Sequence, residues 1–307
     1  MRKLLPFPFL LCAGALFAQQ SPPEGFSLNS INSLQASQIA LSNWATGGES
    51  SVSLNGSFVI DARHKKGRMS SELVVNWLVG LFKTEDLPVR KSQDQLTIVA
   101  ISGYHITPIT PNFGAGLLAD ITTQVAPSYI FNRSLVQALG GDSVKGIKKG
   151  DFLSPGQIEV GVGFRIVKQK PLLDLILAPV MLKQTVILDK GIRTLDKTLP
   201  HGLYGNHGKT VRSETGAYAR LFFRIPLMEN VAADGNLKFF ANYGDQDLDT
   251  SLNLTITGKI NRLLSASLHT TLIHDNDVDT DLAKPGKQER VQLREVLGMN
   301  LTYAFQL

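Results

Sequence analysis

The chain has 307 residues, 43% of them hydrophobic and 19% charged, with a net charge of +5. That charge content is low for a soluble domain, where about 25% is usual, yet after the first 20 residues there is no apolar run of the roughly 20 residues a membrane helix needs. The most apolar internal stretch, 172–182, is broken by Asp174 and Pro179, so helical spans are excluded, and the mild positive charge (+3 once Arg2 and Lys3 are removed) is not a nucleic-acid footprint.

The start of the chain sets a compartment. Met1-Arg2-Lys3 is basic, residues 4–17 are apolar, and Ala18 is a small residue where cleavage is expected. This is the layout of a secretory signal peptide over 1–18, too short to be an anchor. A lipoprotein anchor on Cys12 is disfavoured because bulky Leu11 precedes it. Loss of the leader removes Cys12, the sole cysteine, and with it disulfides, thiolate metal sites and a cysteine nucleophile. Residues 19–25 then form a short periplasmic segment, and 26–307 the folded part.

From there on the hydrophobic residues alternate. Val52, Leu54, Gly56, Phe58, Ile60 and Ala62 share one face, with Ser53, Asn55, Ser57, Asp61 and Arg63 opposite. The same period runs through 157–166, 214–225 and 251–261, and to the end of the chain at Leu297, Met299, Leu301, Tyr303, Phe305 and Leu307. Alternation puts an apolar and a polar side on each segment. A soluble sandwich would alternate too. Strand length separates the two, because membrane strands take about 9–11 residues and ordinary ones about 5–6.

Strands are expected near 26–38, 50–63, 70–83, 93–106, 113–124, 156–168, 173–187, 213–226, 232–245, 250–261, 264–275 and 291–305. Short gaps fall at 64–69, 107–112, 169–172, 227–231 and 262–263. Longer ones fall around 39–49, 84–92, 125–155, 188–212 and 276–290, and the gap at 246–249 is short. Short turns on one side and long loops on the other are the plan of a transmembrane barrel. The expected fold is therefore all-β: an antiparallel up-and-down barrel of about 12 strands, with short periplasmic turns and longer external loops. Closure is required because lipid offers no partner to a free strand edge. The segments near 70–83, 93–106 and 173–187 alternate poorly, and the pattern does not fix their phase.

Ser42-Asn43-Trp44-Ala45-Thr46-Gly47-Gly48-Glu49 runs into an alternating strand. Taken with Lys65-Lys66-Gly67, Val89-Arg90-Lys91, the 211–218 segment and Glu295-Val296-Leu297-Gly298, it resembles a domain-of-unknown-function family of Bacteroidota outer-membrane proteins. The resemblance implies an outer-membrane barrel and no reaction. Fold analogy alone could not supply one.

The polar phase assigns Asp61, Arg63, Glu72, Asp120, Glu159, Arg165, Glu214, Arg220, Arg224, Lys238, Lys259 and Arg294 to the lumen, five acids and seven bases. Such charges must be hydrated or paired. They fit a hydrated pore with a slight anion preference or a filled interior, and twelve strands lie between the filled and open sizes. Near balance of sign favours pairing. Trp44, Gly47, Gly48 and Glu49 fit a plug or mouth loop, or a structural turn with Trp44 at the lipid interface, which is preferred.

Asp275, Asp277, Asp279 and Asp281 alternate as hard-cation ligands would, but without the spacing of the known calcium loop. A solvated loop is the plainer reading. In an external loop they could instead hold divalent ions that bridge lipopolysaccharide phosphates. Of the histidines, His105 and His269 lie on strands with no identifiable nucleophile, so a hydrolase is the least favoured reading and no enzyme is expected. The 125–155 loop, with Lys145, Lys148 and Lys149, exceeds ordinary loop length. It is expected to be a flexible external loop, as is the stretch from His201 to His207. No cofactor is indicated. The expected partners are outer-membrane lipid, lipopolysaccharide and the barrel-insertion machinery, with no nucleic acid and no identifiable specific protein partner. The expected role is structural or a narrow passive channel for small solutes, with surface interaction through the loops as the alternative.

Overall fold

The computed structural model describes residues 24–39, 50–84, 89–106, 113–131, 136–137, 146–199, 202–245, 247–275, 277 and 291–306. The leader, the segment from Trp44 to Glu49, His201, Asp279 and Asp281 lie outside them. The strands are β1 (Gly25–Ile39), β2 (Ser51–Lys66), β3 (Met69–Thr84), β4 (Arg90–His105), β5 (Phe113–Thr123), β6 (Ser128–Ile130), β7 (Ile147–Gly150), β8 (Gly156–Gln169), β9 (Leu172–Val186), β10 (Val211–Met228), β11 (Val231–Asn242), β12 (Leu248–Lys259), β13 (Leu264–His274) and β14 (Gln292–Gln306). One helix, α1 (Lys190–Thr198), lies between β9 and β10. No helix among the described residues is long and apolar enough to cross a membrane.

Twelve of these strands close into one antiparallel barrel, each paired with its chain neighbours, and β1 pairs with β14 to seal it. The expected strands match within a few residues. β6 and β7, which pair only with each other inside the β5–β8 loop, were not expected, and neither was α1.

The two ends differ, as the gap lengths implied. At one end the links are tight. Lys66 pairs with Met69 across Gly67 and Arg68, and Gly67 takes φ +58°, which glycine adopts without steric cost. Both termini of the barrel lie at this end, where the Glu24 carboxylate accepts from the Gly67 N–H at 3.1 Å. The other end carries the longer connections, including the β5–β8 and β9–β10 loops.

Large apolar side chains point outward and are open to the surroundings. Leu297 is 72% exposed and Leu117 59%. Val52, Leu54, Phe58 and Ile60 of β2 and Val160, Val162, Phe164 and Ile166 of β8 are exposed in the phase expected of them. Phe26 and Tyr104 sit near the turn end, and Phe152 and Tyr243 at the loop end. Aromatic rings at both rims of an apolar wall are the pattern of a barrel in lipid. A monomer in water rarely exposes so continuous an apolar surface.

A bulge explains the obscure phase of β9, and a second lies at the start of β4. In β9, Phe164 pairs with Leu177 and Val162 with Val180, so an extra residue enters between Leu177 and Val180. Asp174, Ile176 and Ala178 face inward before it, and Met181, Lys183 and Thr185 after it. Pro179 has no N–H to give the ladder and is tolerated at such a bulge. Gly163 faces it, where a Cβ would collide with the Leu177 carbonyl oxygen. In β4, Gly80 pairs with Gln93 but Leu81 with Lys91, which leaves Ser92 as the extra residue.

Candidate functional site: the barrel interior and its cap

Inside the wall, among the described residues, lies a cavity of about 910 Å³. Its lining runs from Arg63, Leu172 and Arg224 near the turn end to Ser128, Lys149 and Tyr204 at the loop end. Ten of the twelve charged residues assigned to the lumen line it; Glu214 and Lys259 do not. Glu214 is buried just above, in an ion cluster described below, and Lys259 ends β12 at the tight-turn rim.

The interior has two unlike halves. On the β4, β5, β9, β10 and β11 side, Val99, Leu118, Ile176, Ala178, Met181, Tyr218 and Phe240 form a buried apolar cluster, with Val74 and Ile101 packed on it. The sequence reading, which assigned polar residues to the lumen, missed this cluster. Its members sit beside bulges or among small residues, where alternation gives no clear signal.

Ion pairs surround the cluster and span the barrel. Arg63 contacts Asp61 at 2.8 Å and Glu72 at 3.0 Å. Arg165 on β8 reaches Glu72 on β3 at 2.7 Å and Asp174 at 2.5 Å. Lys238 holds Glu159 at 2.8 Å and Asp120 at 3.1 Å. Arg224 pairs with Asp234.

Near the loop end, Lys183 bonds Asp249 at 2.5 Å, with Glu214 at 3.8 Å and Asp275 at 4.0 Å. Arg212 bridges Glu214 at 3.1 Å and Asp277 at 2.6 Å. Asp275 and Asp277, two members of the acidic alternation, are thus engaged by cations of the barrel. Among the described residues no group of three or more His, Asp or Glu side chains is placed to hold a metal ion.

Asp174, Lys183, Arg212, Asp234 and Asp249 belong to this interior and were not singled out from the sequence. Asp234 could have been found, since it shares the phase of Lys238. Lys183 lies past the β9 bulge, so its phase was hidden.

The rest of the lining, on β1, β2, β12, β13, β14 and the loop-end part of β4, is made of neutral polar groups: Gln35, Asn55, Gln93, Gln95, Thr97, Asn253, Ser267 and Asn300, with His269 and Arg294 among them. The His269 Nδ1 is 2.8 Å from the Thr255 hydroxyl, and its Nε2 is 3.3 Å from that of Thr271. The His105 Nδ1 is buried without a hydrogen-bond partner.

Over the mouth sits a folded cap, which corrects the expectation of two flexible external loops. Leu195, Leu199 and Leu203 pack with Ile130, Ile147 and Tyr204, joining α1 to the β6–β7 hairpin. Asp189 caps α1 by accepting from the Ile192 N–H at 2.9 Å. The Lys148 ammonium on β7 lies against Asp151 and bonds Asp189 at 2.9 Å, tying one loop to the other. These contacts hold Lys148 above the usual lysine range, through Asp151 first and then Asp189. Bonds from Lys148 in turn hold both carboxylates below theirs. The Tyr204 hydroxyl donates to the Lys149 carbonyl at 2.8 Å, and its pKa is raised by burial and by the Asp196 charge.

Asp196 is fully buried and accepts from the backbone N–H groups of Leu203 at 2.7 Å, Tyr204 at 2.9 Å and Gly208 at 2.8 Å. Asp196→Ala leaves those donors bare, at about 1–3 kcal/mol for each group that water does not reach. The expected result is faster proteolysis within 187–210, with the barrel's heat-resistant electrophoretic mobility unchanged. Loss of that mobility would mean the cap and the wall fold as one unit.

Residues 36–129 match a family model described as "Protein of unknown function (DUF3078)". The match takes in the segment from Trp44 to Glu49, Lys65-Lys66-Gly67 and Val89-Arg90-Lys91, while the segments at 211–218 and 295–298 lie beyond it. No curated protein matches the chain.

Among solved structures, an outer membrane channel from Pseudomonas putida F1 is similar at 13% identity and a TM-score of 0.40, over 94% of this chain and 97% of that one. The translocator domain of the autotransporter NalP from Neisseria meningitidis gives 8% and 0.34, over 94% and 91%. A TodX monoaromatic hydrocarbon channel variant gives 12% and 0.32, over 96% and 88%. At such scores the likeness is one of general shape. The twelve-strand closure stands on this chain's own pairing.

Proposed function

We propose that the chain is a narrow passive channel for small solutes in the outer membrane of a Gram-negative cell. The observation that carries this reading is a cavity that reaches from the tight-turn end to the cap, walled on one side by neutral amides and hydroxyls. The cavity holds about 910 Å³. That is room for water and small solutes, not for an extended polymer with its hydration. The paired charges of the filled half make the interior stiff, and they leave little net field to select by sign.

Outer-membrane lipid and lipopolysaccharide around the apolar wall, export by a leader over 1–18 and delivery by the barrel-insertion machinery belong to the same reading. So does the Bacteroidota origin suggested by the segment from Trp44 to Glu49. No catalytic role is part of it.

The test is single-channel recording of the refolded chain in a planar bilayer. Stable conductance steps are expected, well below those of a wide porin. A barrel shown to be folded by electrophoretic mobility, yet silent under voltage, would overturn the channel reading.

A second reading rests on the cap. A folded surface unit with exposed Lys190 and Lys197 suits an external contact as well as a cover. Deleting the hairpin and α1 together should spare folding; under this reading it would abolish partner capture and leave conductance unaltered.

A further inference from the structure

Arg294, like Arg220, stands apart from most interior cations. Arg63, Arg165, Lys183, Arg212, Arg224 and Lys238 each meet a carboxylate within 4.0 Å. Arg220 donates its Nε to the Asn236 amide oxygen at 2.9 Å. Among the described residues, no carboxylate pairs with Arg294. Its Nη2 donates to the Gln93 amide oxygen at 2.7 Å, and its Nη1 is buried with no hydrogen-bond partner.

The setting of Arg294 is equally distinct. β14 and β4 are not neighbours, so the bond from Arg294 to Gln93 crosses the lumen. It crosses on the amide-lined side, away from the apolar cluster. Beside it on the wall, Arg294 pairs in register with Thr271, and the Thr271 hydroxyl donates to the Asn253 amide oxygen at 3.0 Å. The side chain lines the cavity and is half-buried.

A guanidinium taken from water and given one neutral acceptor lacks the anionic partner that such groups otherwise find. Its planar donors match the two oxygens of a carboxylate or a phosphate. When the fork swings off the Gln93 oxygen, the Gln93 amide can rotate and offer its own N–H groups from the opposite wall. Two sets of donors then face each other across the narrow path, with no fixed negative charge bonded to either.

We propose that Arg294 and Gln93 form an oxyanion-binding constriction in the lumen. It would take small solutes that carry a carboxylate or phosphate group. The proposal deepens the channel reading and rests on it for its physiological meaning, but binding at the site can be measured without conduction.

The test uses the full mature chain folded in detergent, titrated calorimetrically with succinate and, separately, with inorganic phosphate. Arg294→Gln should weaken binding at least tenfold, Arg294→Lys should retain part of it, and Lys190→Gln on the cap should leave it unchanged. Electrophoretic mobility checks that each variant is folded. In planar bilayers under a potassium chloride gradient, the same Arg294→Gln change should move the reversal potential toward cations.

A silent barrel that still loses binding with Arg294→Gln supports the site and overturns the channel. A conducting barrel that binds neither probe, or binds them equally well without Arg294, overturns the site and leaves the channel standing. Binding of succinate but not phosphate, or the reverse, supports the site and identifies which oxyanion it accepts.

Discussion

Leu254→Arg should destabilise the barrel in lipid by about 2–4 kcal/mol, and Thr255→Arg, one residue along, by far less. Leu254 sits mid-way along β12, paired with Gly235 on one side and Thr270 on the other. Its neighbour Thr255 faces inward, with its hydroxyl on the His269 ring. Alternation therefore turns Leu254 toward the surroundings. A guanidinium there would sit in hydrocarbon, where nothing pairs or hydrates it. At position 255 it would enter a polar cavity whose amides and hydroxyls can bond it. Urea titration of the barrel folded into vesicles measures both changes. Equal effects would mean that the wall is not in lipid, and a larger effect at position 255 than at 254 would mean that the phase of β12 is reversed.

Glu72→Gln should produce the largest change inside the wall. The Glu72 carboxylate sits between two guanidiniums, Arg63 at 3.0 Å and Arg165 at 2.7 Å, and is 13% exposed. Removing one partner of a buried pair costs about 3–5 kcal/mol. The low end, about 3 kcal/mol, is expected here, because Arg63 keeps Asp61 and Arg165 keeps Asp174. Replacing Arg165 by Met in the same chain should not return the loss, because it leaves the Asp174 carboxylate without its cation; residues in one network couple by about 0.5–3 kcal/mol. The single variant should also shift the reversal potential toward anions, because it leaves the lumen one positive charge richer. A Glu72→Gln barrel as stable as the parent would mean that water screens these pairs, and that the interior is wider than its side chains suggest.

The reach of the sequence can be seen in single strands. In β8, the alternation of Ile158 to Ile166 against Gln157, Glu159 and Arg165 gave both the strand and its inward face, and the structure keeps both. In β9, Pro179 and the bulge beside it split the pattern into two runs of opposite phase, so Asp174 and Lys183 both face inward although no single alternation contains them. Asp279 and Asp281 of the acidic alternation, and the segment from Trp44 to Glu49, lie outside the described residues.

What the sequence determined by itself was the wall: twelve long alternating strands, tight turns at one end, longer loops at the other, and the outward face of most strands. These are local properties, fixed by the two-residue period of an extended chain and by where the alternation stops. The tertiary structure decided what fills the wall. Glu72 meets Arg165, Lys183 meets Asp249 and Arg294 meets Gln93 because closure and stagger bring non-neighbouring strands face to face across the lumen. The apolar cluster against the amide-lined half, and the cap built from two loops, arise in the same way. Such contacts depend on the height and bearing of each side chain in a closed ring, and the order of residues along one strand does not contain either.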